Sequence, residues 1–249
     1  MRLITLLTFC VIVPSAATAT AIVVIWTPGG AIFGADAKLV TDDGKDAGTG
    51  CKIGQVSNNI LFAESGILAA PSADIDFRST ILKALGSDGT LDQRIVKIES
   101  EVGPLLTGIL NAPSIKKGVL YTIRKGRPAE GLQVVIVTND GSPGSAVALQ
   151  FVPTRDGAAG VRVDVKRTNC PEDAVCNDSR IFTLGRHKAM DREVKRHPDI
   201  SKSPPVDFVT KLLTVATGAN PKTVGPPFSI AFITPGQISW PSTGACKAN

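Results

Sequence analysis

Two consecutive apolar runs, Thr20 to Thr27 and Ala31 to Ala37, are joined by Pro28-Gly29-Gly30 and constrain the fold more than any other feature. Both are rich in β-branched and small apolar residues, and the Pro-Gly-Gly between them is turn material, so they read as paired strands. Neither alternates apolar with polar. Successive side chains of a strand point to opposite faces, so an unbroken apolar strand needs cover on both. The polar stretch Lys38 to Gly50, with Asp42-Asp43-Gly44 and Gly48-Thr49-Gly50, reads as turns. Lys52 to Val56 and Ile60 to Glu64 then read as a second hairpin around Ser57-Asn58-Asn59.

The segment ahead of the first strand has a different character. Arg2 is a positive start, Leu3 to Val13 is an apolar run of 11 residues, and Pro14 breaks it. Ala17 and Ala19 are the small residues of an A-x-A cleavage site, so residues 1–19 read as a cleavable secretory signal. Cutting after Ala19 makes Thr20 the new amino terminus. Such a residue joins a hydroxyl nucleophile to an α-amine whose ordinary pKa is about 7.7–8.0. The amine can take the hydroxyl's proton near neutral pH with no histidine present.

Asp36 lies 16 residues after Thr20, Lys52 lies 16 after Asp36, and Gly66 follows 14 later. Their settings are Phe33-Gly34-Ala35-Asp36-Ala37-Lys38, Gly50-Cys51-Lys52-Ile53 and Phe62-Ala63-Glu64-Ser65-Gly66. With Thr20 at the cleavage site, this pattern resembles the proteasome β-subunit family of N-terminal-nucleophile hydrolases, in which a Thr, an Asp, a Lys and a Gly occupy these offsets. The resemblance implies an α+β fold, a four-layer αββα sandwich of two antiparallel sheets between helix layers, over residues 20–249 as one domain. It also implies roles: Thr20 as nucleophile and proton carrier, Lys52 as the cation that tunes it, Asp36 as the partner holding Lys52, and the Gly66 N–H as oxyanion donor. The substrate is then a peptide or amide, and a homo-oligomer is within the family's habit. By offset, Glu64 and Leu68 line the substrate pocket, where a carboxylate favours a basic side chain.

Two family features differ. Active members carry an Asp and a Ser near a late Gly, which buttress the terminal amine; here the stretch reads Asn220-Pro221-Lys222-Thr223-Val224-Gly225, leaving Thr223 or Asn220 as substitutes. The family's Gly-Ser-Gly-Ser run appears as Leu184-Gly185-Arg186-His187, without serines. A second function of another class therefore stands beside the hydrolase: a catalytically degenerate relative that uses the same fold for binding or assembly.

Composition bounds the rest. The chain has 249 residues, 43% hydrophobic and 20% charged, enough for one well-cored domain. Net charge is +5, from 27 Lys+Arg and 22 Asp+Glu, and no recognition motif accompanies it, so no nucleic-acid partner is expected. The early apolar run is well short of the roughly 18–20 residues that span a bilayer, and no later run is longer, so no membrane association is expected after cleavage. Loss of Cys10 with the signal leaves four cysteines, an even number suited to an oxidising, periplasmic or extracellular setting. Cys170 and Cys176 are the expected disulfide. Cys51 and Cys246 are left as a second pair, or Cys51, beside Lys52, as a reactive thiol.

Further along, Ser72 is a candidate cap for a helix ending at Gly86 with Ala73, Phe77, Ile81 and Leu85 on one face. Thr90-Leu91-Asp92-Gln93 is a capping box for a second, whose stripe is Leu91, Ile95, Ile98, Val102, Leu105 and Ile109, with Pro104 expected to kink or split it. Gly118 to Arg124, Leu132 to Thr138, Ala146 to Val152 and Gly160 to Lys166 read as strands. Arg186 to His197 reads as a charged helix, and Ser203-Pro204 opens another with Val206, Val209, Leu212, Leu213 and Ala216 inward and Gly218 as its stop. Phe228 to Thr234 and Gln237 to Trp240 close the chain as strands. No G-x-S-x-G, phosphate-binding loop or metal-ligand spacing occurs, and His187 and His197 have no obvious Ser or Cys partner, so no cofactor or metal is called for. Asn177-Asp178-Ser179 matches a glycosylation sequon.

Overall fold

The computed structural model of the chain describes residues 20–40, 45–70, 75–127, 129, 131–139, 144–157, 160–176, 180–197 and 205–246. The 1–19 segment, Ser72, Pro204 and the 177–179 sequon lie outside these residues.

The two apolar runs form β1 (Ala21–Thr27) and β2 (Gly30–Asp36), paired antiparallel with Ile22 opposite Ala35 and Thr27 opposite Gly30. The second hairpin is β5 (Ile53–Ser57) and β6 (Ile60–Gly66). Between them the stretch read as turns holds a small hairpin, β3 (Lys38–Val40) with β4 (Asp46–Thr49). The short pair β7 (Ala69–Ala70) and β8 (Ile75–Asp76) leads to the helices α1 (Phe77–Leu85), α2 (Leu91–Leu110) and α3 (Pro113–Arg124). Then come β9 (Leu132–Thr138), β10 (Ser145–Asp156), β11 (Gly160–Cys170), β12 (Arg180–Gly185), α4 (Lys188–Arg196), α5 (Pro205–Ala219), β13 (Phe228–Thr234) and β14 (Gln237–Ser242).

The fold is α+β, with two five-stranded antiparallel sheets ordered β12-β1-β2-β13-β14 and β11-β10-β9-β6-β5. Alternation along β1 explains its unbroken apolar character. Ile22, Val24 and Trp26 join Phe33 and Ala35 and, from the other sheet, Leu61, Ala63, Val135 and Val137 in one core. Ala21, Val23 and Ile25 join Phe208, Val209, Leu212 and Leu213 of α5 in another. A third core unites Ile60, Phe62, Val134 and Ile136 with Phe77, Ile81 and Leu85 of α1 and Ile95, Ile98 and Val102 of α2. Full burial of each such side chain is worth roughly 1.5–3 kcal/mol, so a one-residue slip of β1, which swaps its two faces, is strongly disfavoured.

Several elements differ from expectation. Gly118 to Arg124 is the end of helix α3, not a strand. Pro113 starts the helix at a position where the missing N–H costs nothing, and Ile115, Val119 and Leu120 pack at helical spacing onto the core that α3 meets at β10, β11 and α2. Helix α1 is capped by Asp76, whose carboxylate accepts from the Arg78 and Ser79 amides, rather than by Ser72. The capping box at Thr90 and Gln93 is formed. Pro104 sits inside α2 without ending it, and the stripe continues through Leu106, while Leu105 is 38% exposed. Strand β12 has no counterpart in the sequence reading. Helix α5 runs one residue beyond Gly218.

Both cysteine pairs are disulfides, with Cα–Cα separations of 5.5 Å for Cys170–Cys176 and 4.6 Å for Cys51–Cys246, inside the usual bonding range. Cys51 is thus a structural cysteine rather than a thiol. Among the described residues no helix is long and apolar enough to cross a membrane.

Candidate active site

The first strand and its neighbours bring one end of both hairpins together. Thr20 immediately precedes β1 and is fully buried, and its carbonyl oxygen accepts from the Arg186 amide at 2.7 Å, just past β12. Among the described residues its hydroxyl has no hydrogen-bond partner. Asp36 ends β2 next to Ala21, as the β1–β2 register requires. One carboxylate oxygen of Asp36 accepts from the Ala21 amide at 2.8 Å and from the Lys52 ammonium at 2.8 Å. The other accepts from the Lys38 amide at 3.2 Å and the Gly225 amide at 3.3 Å. Lys52 also donates to the Lys38 carbonyl at 2.7 Å.

Asp36 and Lys52 are each 1% exposed. Burial pushes the Asp36 carboxyl up from its ordinary range, opposed by the charge and hydrogen bond of Lys52 and by the Ala21 and Gly225 amides. Burial likewise pushes the Lys52 ammonium down, opposed by Asp36. Burial thus works against the charge on both groups, while each one's charge and hydrogen bond favour the ionised form of the other. An ammonium has three donors, and the two spent on Asp36 and Lys38 leave one for a third acceptor.

Gly66 closes β6 with a left-handed φ of +107°, and a Cβ there would lie 1.9 Å from the Gly131 carbonyl oxygen. The Ile67 amide donates to Gly131, so residues 67 and 131 form a hydrogen-bonded pair. The alternation of an antiparallel ladder then turns the Gly66 N–H away from β9, to the side where the Glu64 amide meets the Lys52 carbonyl.

Three further residues reach this end of the sheets. Gly185 closes β12 with φ +73°; a Cβ there would meet the Thr20 carbonyl oxygen at 1.9 Å and the Ser65 hydroxyl at 2.8 Å. Its amide donates to the Gln133 side chain at 3.0 Å, and Gln133 lies opposite Ser65 in the β6–β9 register. Because both the backbone conformation and the close approach demand glycine, Gly185→Ala is expected to destabilise the protein by at least about 1–3 kcal/mol. Thermal melting reads this; a variant melting like the wild type contradicts the packing described.

Glu64 points to the other face of β6. Its carboxylate is buried and paired with Arg78 of α1 at 2.7 Å, and Arg78 also holds the Ile53 carbonyl at 2.9 Å and lies over the Phe62 ring. Leu68 packs into the core beneath α1 and α2, and its carbonyl accepts from the Phe77 amide. Burial, opposed by Arg78, pushes the Glu64 carboxyl up to about 7 from an ordinary 4.5. Between those values the folded protein keeps a proton that the unfolded chain has released, so stability falls as pH rises through that window, by up to about 3 kcal/mol. Urea unfolding should show a midpoint that drops between pH 5 and 7.5, and Glu64→Gln should flatten the slope. A midpoint that rises over this range, or an unchanged slope in the variant, contradicts the assignment.

The late stretch reaches the site only through the backbone. Asn220 donates to the Ala216 carbonyl and Thr223 to the Asn220 carbonyl, so both side chains finish α5, and the Gly225 amide alone touches Asp36. Beside it, a cleft of about 320 Å³ opens between the β3–β4 hairpin and the α5–β13 connection, lined by Lys38, Thr49, Pro221 and Gly225 among others, but not by Thr20. Among the described residues no group of three or more His, Cys, Asp or Glu side chains is placed to hold a metal.

The geometry thus bonds Lys52 to Asp36 and Asp36 to the amide of Ala21, next to Thr20, and turns the Gly66 N–H to the Lys52 side, while Glu64 and Leu68 join the core under the helices. Sequence reasoning missed Ser65, Gln133 and the Lys38 carbonyl. The polar residues in an otherwise apolar β6–β9 pair were the available sign of the first two. No protein-family model matches the chain, and comparison with curated proteins returns no match.

Proposed function

We propose that the chain is an exported N-terminal threonine hydrolase with the four-layer αββα architecture of proteasome β-subunits, cleaving peptide or amide bonds through an acyl group on Thr20. One observation carries the reading: a single carboxylate oxygen of buried Asp36 binds both the Lys52 ammonium and the amide of Ala21, the residue joined to Thr20. A cation held this way next to the first strand favours loss of a proton from an amine or hydroxyl at Thr20.

In this reading, cleavage after Ala19 frees the α-amine. The amine takes the proton as Thr20 Oγ adds to the substrate carbonyl carbon, and the negative charge passes to the carbonyl oxygen. The Gly66 N–H, turned toward the Lys52 side, meets that oxygen; loss of such a donor costs roughly 3–4 kcal/mol of barrier. The ammonium then protonates the departing amine, leaving an ester on Thr20. Water hydrolyses the ester by the same proton path in reverse. With Arg78 on its carboxylate, Glu64 offers a substrate no unopposed negative charge, so the reading carries no preference for basic side chains.

The test is covalent labelling. The exported protein is incubated with a peptide epoxyketone or β-lactone, digested and mapped by mass spectrometry. An adduct on the peptide that begins with Thr20 is the expected result. A free Thr20 that stays unlabelled favours the degenerate binding module, which is supported by the use of Asn220 and Thr223 in ending α5 rather than in contacting Thr20.

A further inference from the structure

The Asp36–Lys52 ion pair is a contact between the two sheets. Asp36 ends β2 in one, and Lys52 stands just before β5, an edge strand of the other. Burial opposes the charge on each partner, so the pair needs its two sheets brought to bonding distance and kept there. Little on the Lys52 side of the pair does this. The hairpin ahead of it ends in Asp46–Thr49, which is exposed throughout, and β5 pairs with β6 along one side only. The Glu64 amide reaches the Lys52 carbonyl at 3.3 Å, a long hydrogen bond.

The covalent hold is at the adjacent residue. Cys51 is joined to Cys246, which lies beyond the end of β14 at Ser242, and β14 is the edge strand of the sheet that carries Asp36. Cys246 is buried in the core shared by the two sheets, with Cys51 packed against that core. On the same flank Trp240 of β14 donates from Nε1 to the Gln55 side chain of β5 at 3.4 Å. The disulfide therefore ties the sheets together where Lys52 crosses between them. Cys170–Cys176 makes no such tie to Lys52, since its cysteines are six residues apart in the turn that leaves β11.

We propose that the Cys51–Cys246 disulfide is a latch that positions Lys52 against Asp36, so that the site assembles only in the oxidised chain. Its formation is a thiol–disulfide exchange. The two cysteine thiols give up two protons and two electrons to an oxidised dithiol carrier of the export compartment, whose own disulfide becomes two thiols. The latch does not depend on Thr20 being a nucleophile; its effect on catalysis rests on that reading. The amine freed by cleavage then meets its cation only after oxidation, so a reduced chain is kept inactive.

The test compares full-length exported wild type with Cys51→Ser/Cys246→Ser and with Cys170→Ser/Cys176→Ser, each well below its melting temperature. Acetylation by an amine reagent, mapped by mass spectrometry, reads the release of Lys52. Peroxide oxidation of Met190, fully buried in the core with α5, reads opening of the whole molecule. In the first variant Lys52 is expected to be acetylated at least about tenfold faster, beyond any acceleration at Met190. The second variant should keep the wild-type protection of Lys52. With a peptide epoxyketone, the half-maximal pH of labelling in the first variant is expected to rise toward about 7.7–8.0, the ordinary α-amine range, because the cation has left the amine. Equal acceleration at Lys52 and Met190 means that the disulfide stabilises the molecule as a whole, and overturns the proposal. Full protection of Lys52 without the disulfide overturns it too, as does a released Lys52 with an unmoved pH profile. A wild type that never takes the epoxyketone overturns the Thr20 reading alone, and the acetylation rates still decide the latch.

Discussion

Asp36→Asn is expected to lower the unfolding free energy by about 3–5 kcal/mol, because it leaves the Lys52 ammonium buried without its counter-charge. No water can relieve this cheaply: Lys52 is 1% exposed, and among the described residues its other partner is the uncharged Lys38 carbonyl. The amides of Ala21, Lys38 and Gly225 add to the effect, since a neutral carboxamide is a weaker acceptor for them and presents an N–H₂ group to one side. Lys52→Met is expected to cost a comparable amount by stranding the carboxylate. The double variant should be more stable than the summed losses predict, because neither charge is then left alone. Urea denaturation of the four proteins measures this cycle. Single variants within about 1 kcal/mol of wild type would mean that the pair does not form in the buried geometry described.

Thr20→Ala is expected to abolish epoxyketone labelling and turnover, a loss of at least roughly 10³-fold, while leaving the fold in place. The hydroxyl it removes makes no hydrogen bond among the described residues, and the anchoring contact of this residue, Arg186 to the Thr20 carbonyl, belongs to the backbone. Melting temperature should therefore change little. Thr20→Ser keeps a primary hydroxyl on the same amine and should retain measurable labelling. Assays of the purified exported variants decide the point: activity that survives Thr20→Ala removes Thr20 as nucleophile, and equal loss in Thr20→Ser with a lowered melting temperature assigns the residue to packing.

The parts of this account that were legible in the sequence are those with a local signature. The hairpins β1–β2 and β5–β6 show as apolar runs around Pro-Gly-Gly and Ser-Asn-Asn, and the α2 capping box shows as Thr90 with Gln93. Asp36 and Lys52 were readable because the spacing along two hairpins fixes where they fall. Helix α3 was misread because Val119 to Ile123 is rich in β-branched and aromatic residues, and propensity over so short a run yields to the packing of Ile115, Val119 and Leu120. Strand β12 was missed because six residues opening on Arg180 carry little pattern of their own; its pairing with β1 creates it. That omission also hid half of the site, since Gly185 and the Arg186 amide both meet Thr20 there. Gln133 reaches across to the Gly185 amide in the other sheet, and the Lys38 carbonyl and Gly225 amide are backbone groups with no residue-specific sign.

The central claim is that export exposes the amine of Thr20 beside the Asp36–Lys52 pair. The most direct measurement is the amino-terminal residue of the purified exported protein, by Edman degradation together with intact mass. A chain that starts at Thr20, with its amine unmodified, is the predicted result. A chain that starts at any other residue, or retains residues 1–19, contradicts the account.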